Sequence, residues 1–119
     1  PIYDCGNCLQ SKWDDTKCEQ VLLDVNLMDE ITWKRKVCYF TDDLGKRINP
    51  YRLIKSGDYP ICTLVLKQIL QCDFQSVFEF IQRFEYISEI KREFYLKTIK
   101  RRIELLYKLL DEQSTMNLF

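Results

Sequence analysis

Residues 73–112 contain neither Pro nor Gly, and this stretch constrains the fold more than any other part of the chain. Its apolar residues recur at helical spacing: Phe74, Val77, Phe78, Ile81 and Phe84, then Ile99, Ile103, Leu106 and Leu110. Phe80, Ile87 and Tyr95 widen the stripe beyond the narrow seam of a coiled coil. The pattern predicts two helices, residues 74–87 and 89–112. Asp73 and Ser88 stand where N-caps are needed, with side-chain oxygens able to accept from first-turn amides. One unbroken helix is the competing reading, since no strong breaker separates the two.

Upstream, Asp58-Tyr59-Pro60 predicts another helix start, with Asp as cap and Pro tolerated in the first turn. Ile61, Leu64, Val65, Ile69 and Cys72 form its expected inner face. Asp14-Asp15-Thr16 predicts a short helix with Cys18, Val21, Leu22 and Val25 inward. Residues 31–40, ITWKRKVCYF, interleave β-branched and aromatic residues with bases and predict a strand. The turn signal Asp42-Asp43-Leu44-Gly45 follows, and residues 46–48 are expected to pair back. Asn49-Pro50 opens a helical turn over residues 51–55, stopped at Ser56-Gly57.

Together these elements predict an α+β fold, predominantly α-helical. One domain, residues 1–119, is expected in two lobes. A Cys-rich mixed α/β lobe (1–56) with a short strand or hairpin packs on a helical lobe (58–119) of about three helices. Length allows one core and no more. A composition 46% hydrophobic and 30% charged, with three Gly and three Pro, belongs to a folded chain. Formal net charge is zero, so no global field draws in nucleic acid or anionic membrane. No apolar run is long enough to cross a bilayer, and the N-terminus shows no basic segment followed by an apolar one.

The chain has no histidine, which removes the usual imidazole base of Ser and Cys nucleophile systems. Asp14-Asp15 and Asp42-Asp43 are the carboxylate pairs, but adjacent side chains diverge, and both pairs sit where caps and turns want Asp. No Gly-rich phosphate loop is present. The sequence therefore predicts a protein that is not an enzyme and has no small-molecule substrate.

Cys5-Gly6-Asn7-Cys8 is a tight turn with a thiol on each side. With Cys18 and Cys38 it would complete a tetrahedral zinc site, although the second half lacks its own C-x2-C. The expected cofactor is none, or this one structural zinc. The other two readings are reduced thiols packed in the core and a disulfide framework. Cys62 and Cys72 fit the core reading. Ten residues apart on one helix, they stand roughly 15 Å from each other, too far to bridge.

Lys91, Arg92, Lys97, Lys100, Arg101 and Arg102 make a local basic cluster, offset within residues 91–102 only by Glu93. It reads either as a phosphate-contacting face, with Lys97, Lys100, Arg101 and Arg102 as its contacts, or as a solvated face carrying Glu93–Lys97 and Glu104–Lys108 pairs. Trp33, Tyr39, Phe40 and Tyr51 lie close in sequence, with Arg35 and Arg47 beside them, a set suited to protein recognition. The sequence thus predicts a non-catalytic protein–protein interaction module of a larger intracellular assembly, nuclear or cytoplasmic, chromatin included. Its partner would be another protein, with nucleic acid unlikely to be bound directly and no membrane contact. Two alternatives remain: a zinc-stabilised nucleic-acid-associated factor and a secreted, disulfide-bonded helical effector.

Overall fold

Short polar side chains set where most of the helices begin. Asp14 accepts from the Lys17 amide (2.9 Å), Asp24 from Asn26 (2.9 Å), Asn49 from Arg52 (3.2 Å), Asp73 from Ser76 (3.1 Å) and Ser88 from Lys91 (3.2 Å). Each satisfies a first-turn amide that has no intrahelical partner. The computed structural model describes residues 9–34 and 41–116. The helices are α1 (Asp15–Leu22), α2 (Val25–Asp29), α3 (Pro50–Lys55), α4 (Pro60–Leu70), α5 (Phe74–Arg83) and α6 (Glu89–Met116), and α2 continues into a π-turn, Glu30–Lys34. No helix among them is long and apolar enough to cross a membrane.

The spine is α6. Its 28 residues span about 42 Å at the usual helical rise, most of the molecule's 47 Å long axis. Phe94, Thr98, Leu105 and Leu109 are buried along it. The Thr98 hydroxyl donates back to the Phe94 carbonyl (2.9 Å), so it enters the core without an unpaired donor. Around the N-terminal half of α6, Cys18, Val21, Met28 and Ile31 close on Phe94, with Trp13 tilted against its ring. Around the C-terminal half, Leu66 and Leu70 of α4 pack on Leu109, flanked by Tyr51, Ile54 and Phe74.

The mixed α/β lobe is not seen among the described residues. Among the described residues there is no strand, and Ile31, Thr32, Trp33 and Lys34, expected to begin one, lie in the π-turn. Ile31 buries itself three residues after Met28, at helical and not alternating spacing, and the Thr32 hydroxyl bonds the Met28 carbonyl (2.8 Å). The remainder of the expected strand, residues 35–40, lies outside the described residues. Among the described residues the expected hairpin is one antiparallel bridge, Thr41 with Arg47. There Asp42 Oδ1 accepts from the Leu44 and Lys46 amides (both 2.9 Å), and Gly45 takes φ +78°.

Three other expectations shift. The inner face of α4 is Leu66 and Leu70; Ile61, Leu64, Val65 and Ile69 are exposed, and so is Cys72. In α6 the deep positions Thr98, Leu105 and Leu109 each come one residue before Ile99, Leu106 and Leu110, which are half-buried, as is Ile103. A wide apolar stripe leaves its centre undefined, and the facing helices choose it. Helix α5 ends at Arg83, short of residue 87, because the Arg92 guanidinium takes the carbonyls of Ile81 (2.5 Å) and Gln82 (3.0 Å). Ser88 caps α6 as expected, whereas α4 starts at Pro60 with no side-chain cap on Tyr59.

Candidate functional site

The chemistry-bearing residues converge on a groove between α1–α2 and α6. Its volume is about 380 Å³, toward the small end for ligand sites. Val21, Val25 and Met28 supply an apolar floor, while Lys97, Lys100 and Arg101 of α6 stand along the other wall. Arg101 is neutralised in place: its Nε lies 3.2 Å from Asp29 Oδ1 and its Nη1 3.1 Å from Glu104 Oε1. Lys97 Nζ donates to the Leu22 carbonyl (3.1 Å), and Lys100 Nζ sits 5.2 Å from the centre of the Phe78 ring.

These contacts show what the basic cluster does inside the fold. Leu22 closes α1, Ile81 and Gln82 lie in the last turn of α5, and Ile31 lies in the π-turn that prolongs α2. Lys97 takes the first carbonyl and Arg92 the next two; Arg102 Nη2 takes Ile31 (3.2 Å). Helix C-termini carry unpaired carbonyls and partial negative charge, so cations from a neighbouring helix stabilise them. Burial pulls the Arg102 guanidinium below its ordinary pKa. Neither expected pair is formed as such: Lys97 turns to Leu22 and Glu104 to Arg101.

The residues expected to recognise a protein are only partly brought together. The Trp33 and Tyr51 rings meet at 5.3 Å, tilted by 46°, with Lys34 Nζ 5.2 Å from the centre of the Trp33 ring. Burial raises the Tyr51 pKa, and the charge of Glu112 adds to that. Arg47 is exposed in the bridge to Thr41. Arg35, Tyr39 and Phe40 lie outside the described residues. Asn49, which sequence reasoning read only as a turn opener, joins this region: its Nδ2 donates to the carbonyls of Trp33 (2.7 Å) and Lys34 (3.1 Å) while its Oδ1 caps α3. The Asn-Pro pair signals the cap; nothing local signals the other half.

Of the four thiols expected to bind zinc, Cys18 is buried in the core beside Phe94, and Cys5, Cys8 and Cys38 lie outside the described residues. Burial raises the Cys18 pKa, with smaller effects from Lys91 and from Asp15 and Asp14, and so favours the neutral thiol. Among the described residues no group of three or more His, Cys, Asp or Glu is placed to hold a metal ion. Cys18, Cys62 and Cys72 are free thiols. The acidic pairs serve the fold: Asp14 caps α1, Asp42 closes its turn, and Asp15 reaches across the molecule to accept from the Ser88 hydroxyl (2.7 Å).

Comparison with known proteins adds a relationship that no motif announces. No family model matches the sequence. The chain is 30% identical over 95 residues to the serine/threonine-protein kinase CtkA of Helicobacter pylori, a match covering 79% of this chain and 29% of that protein. The crystal structure of the Helicobacter pylori proinflammatory kinase CtkA superposes with a TM-score of 0.79 at 26% identity, over 94% of this chain and 42% of that one. The chain thus spans less than half the length of the relatives it matches. These matches point to a kinase-related protein and overturn the expectation of a non-catalytic interaction module.

Proposed function

We propose that this chain forms the helical body of a serine/threonine protein kinase similar to CtkA. The observation that carries the reading is the agreement of the chain trace over 94% of its length with a kinase that also shares 26% of its sequence. In this reading the absence of histidine is no obstacle. Phosphoryl transfer needs positioning, bound metal ions and a carboxylate to accept the hydroxyl proton, not an imidazole. The 119 residues carry no Gly-rich phosphate loop and no H-R-D catalytic loop, so sequence beyond them would supply the nucleotide site. The α6 spine would be the support against which that part packs. The substrate class is protein hydroxyls, and the compartment is one that supplies ATP, cytoplasm or nucleus.

Calorimetric titration of the full-length gene product with magnesium-ATP tests the reading. Saturable binding of one nucleotide per chain is expected, and no binding to a folded product overturns it.

A further inference from the structure

We infer that the outward face of α4 seats an apolar segment of the same polypeptide, supplied by the part of a CtkA-like kinase that lies beyond these 119 residues. The inference rests on the kinase reading and adds the place of contact to it. Composition is the first argument. Of the eleven residues of α4, only Thr63, Lys67 and Gln68 are polar. Leu66 and Leu70 are buried against α6, yet Ile61, Leu64, Val65 and Ile69 remain 63%, 53%, 44% and 44% exposed. A surface helix keeps its apolar residues on one side. A helix that is apolar on both sides belongs to the interior of a larger body.

The second argument is the shape of that face. Ile61, Val65 and Ile69 stand four residues apart and form a ridge along the helix. With Ile54 of α3, Cys62 and Leu106 of α6 they line a groove of about 260 Å³. None of its lining side chains is charged, so its occupant brings apolar side chains and no ion that would lose water there unpaired. The third argument is how much chain is left to place. These residues cover 42% of the kinase chain on which they superpose, so more than half of such a chain lies elsewhere. Their radius of gyration, 16.0 Å, exceeds the roughly 13.5 Å of a compact domain of this length, as suits one part of a larger core. A segment joined covalently is present at high effective concentration and takes the groove ahead of a second copy.

Hydroxyl-radical footprinting of the full-length gene product, read by mass spectrometry, tests the contact without any substitution. Ile61 and Ile69 should be oxidised at least tenfold more slowly than Leu44, which is 82% exposed, at every protein concentration. Oxidation at a rate like that of Leu44 would overturn the inference. Protection lost on dilution, together with dissociation of a dimer, would overturn it too and assign the face to a second copy. Ile61→Asp gives an independent readout through its sign. In the first turn of α4 an uncovered Asp faces the positive end of the helix and leaves the Tm unchanged or raised. Under a covering segment it buries a charge, and the Tm should fall by at least about 5 °C. A Tm that does not fall contradicts the contact. Magnesium-ATP titration of the same preparation separates this inference from the reading it rests on. Nucleotide binding with an unprotected α4 overturns the contact alone, and protection without nucleotide binding overturns the kinase reading alone.

Discussion

Asn49 illustrates how much one buried side chain carries. Only 5% exposed, it closes the π-turn with its amide nitrogen and opens α3 with its amide oxygen. Asn49→Ala removes a cap and leaves two part-buried carbonyls without their donor, an expected loss of about 2 kcal/mol. Asn49→Asp keeps the cap acceptor but sets a carboxylate oxygen against the two carbonyl oxygens, so it should be at least as destabilising as Ala in urea denaturation. An Asp variant as stable as wild type would show that the bonds to Trp33 and Lys34 contribute nothing. The caps Asp14, Asp73 and Ser88 were legible because cap and amide lie three residues apart. The second role of Asn49 was not, because it spans 15 and 16 residues. Cys18 has a comparable duality: the sequence offered it as a ligand, and the fold buries it.

At the scale of elements, α6 holds its neighbours by their C-terminal carbonyls. Arg102→Met keeps the aliphatic stem and removes the donor to Ile31, so it should cost about 2 kcal/mol, the range for a hydrogen bond from a charged group. Arg92→Met should raise amide exchange in the last turn of α5 and leave the first turn, capped by Asp73, protected. Equal exchange along all of α5 would contradict that division. The basic cluster was visible in sequence, but its acceptors lie 10 to 75 residues away, so only the fold assigns them. The start of the strand, residues 31–34, was misread because Ile31, Thr32 and Trp33 are β-formers by propensity; packing of Ile31 beside Met28 overrides that preference. The helices of residues 73–112 were read correctly in kind because a long period without breakers needs no tertiary information.

For the molecule as a whole, α6 joins two buried clusters, one around Phe94 and one around Leu109. Phe94→Ala should cost about 3–5 kcal/mol, and unfolding should remain one transition if the spine couples the clusters. Alkaline pH supplies a second check. The folded-state pKa values of Cys18 and Tyr51 are raised above their ordinary values of 9.0 and 10.0. The unfolded chain therefore loses these protons first, and their contribution is complete below the ordinary values and declines as pH rises through and beyond them. Urea midpoints should fall in that range, and the Cys18 part of the fall should vanish in Cys18→Ala.

The kinase relationship was not legible in the sequence, because kinase signatures reside in phosphate and catalytic loops, and a helical body carries only periodicity, shared by many folds. The most direct measurement is transfer of phosphate from γ-labelled ATP by the full-length gene product to a Ser- and Thr-containing protein, followed by phosphoamino-acid analysis. Label on phosphoserine or phosphothreonine is the predicted result. A folded product that binds ATP and labels neither residue would contradict the account.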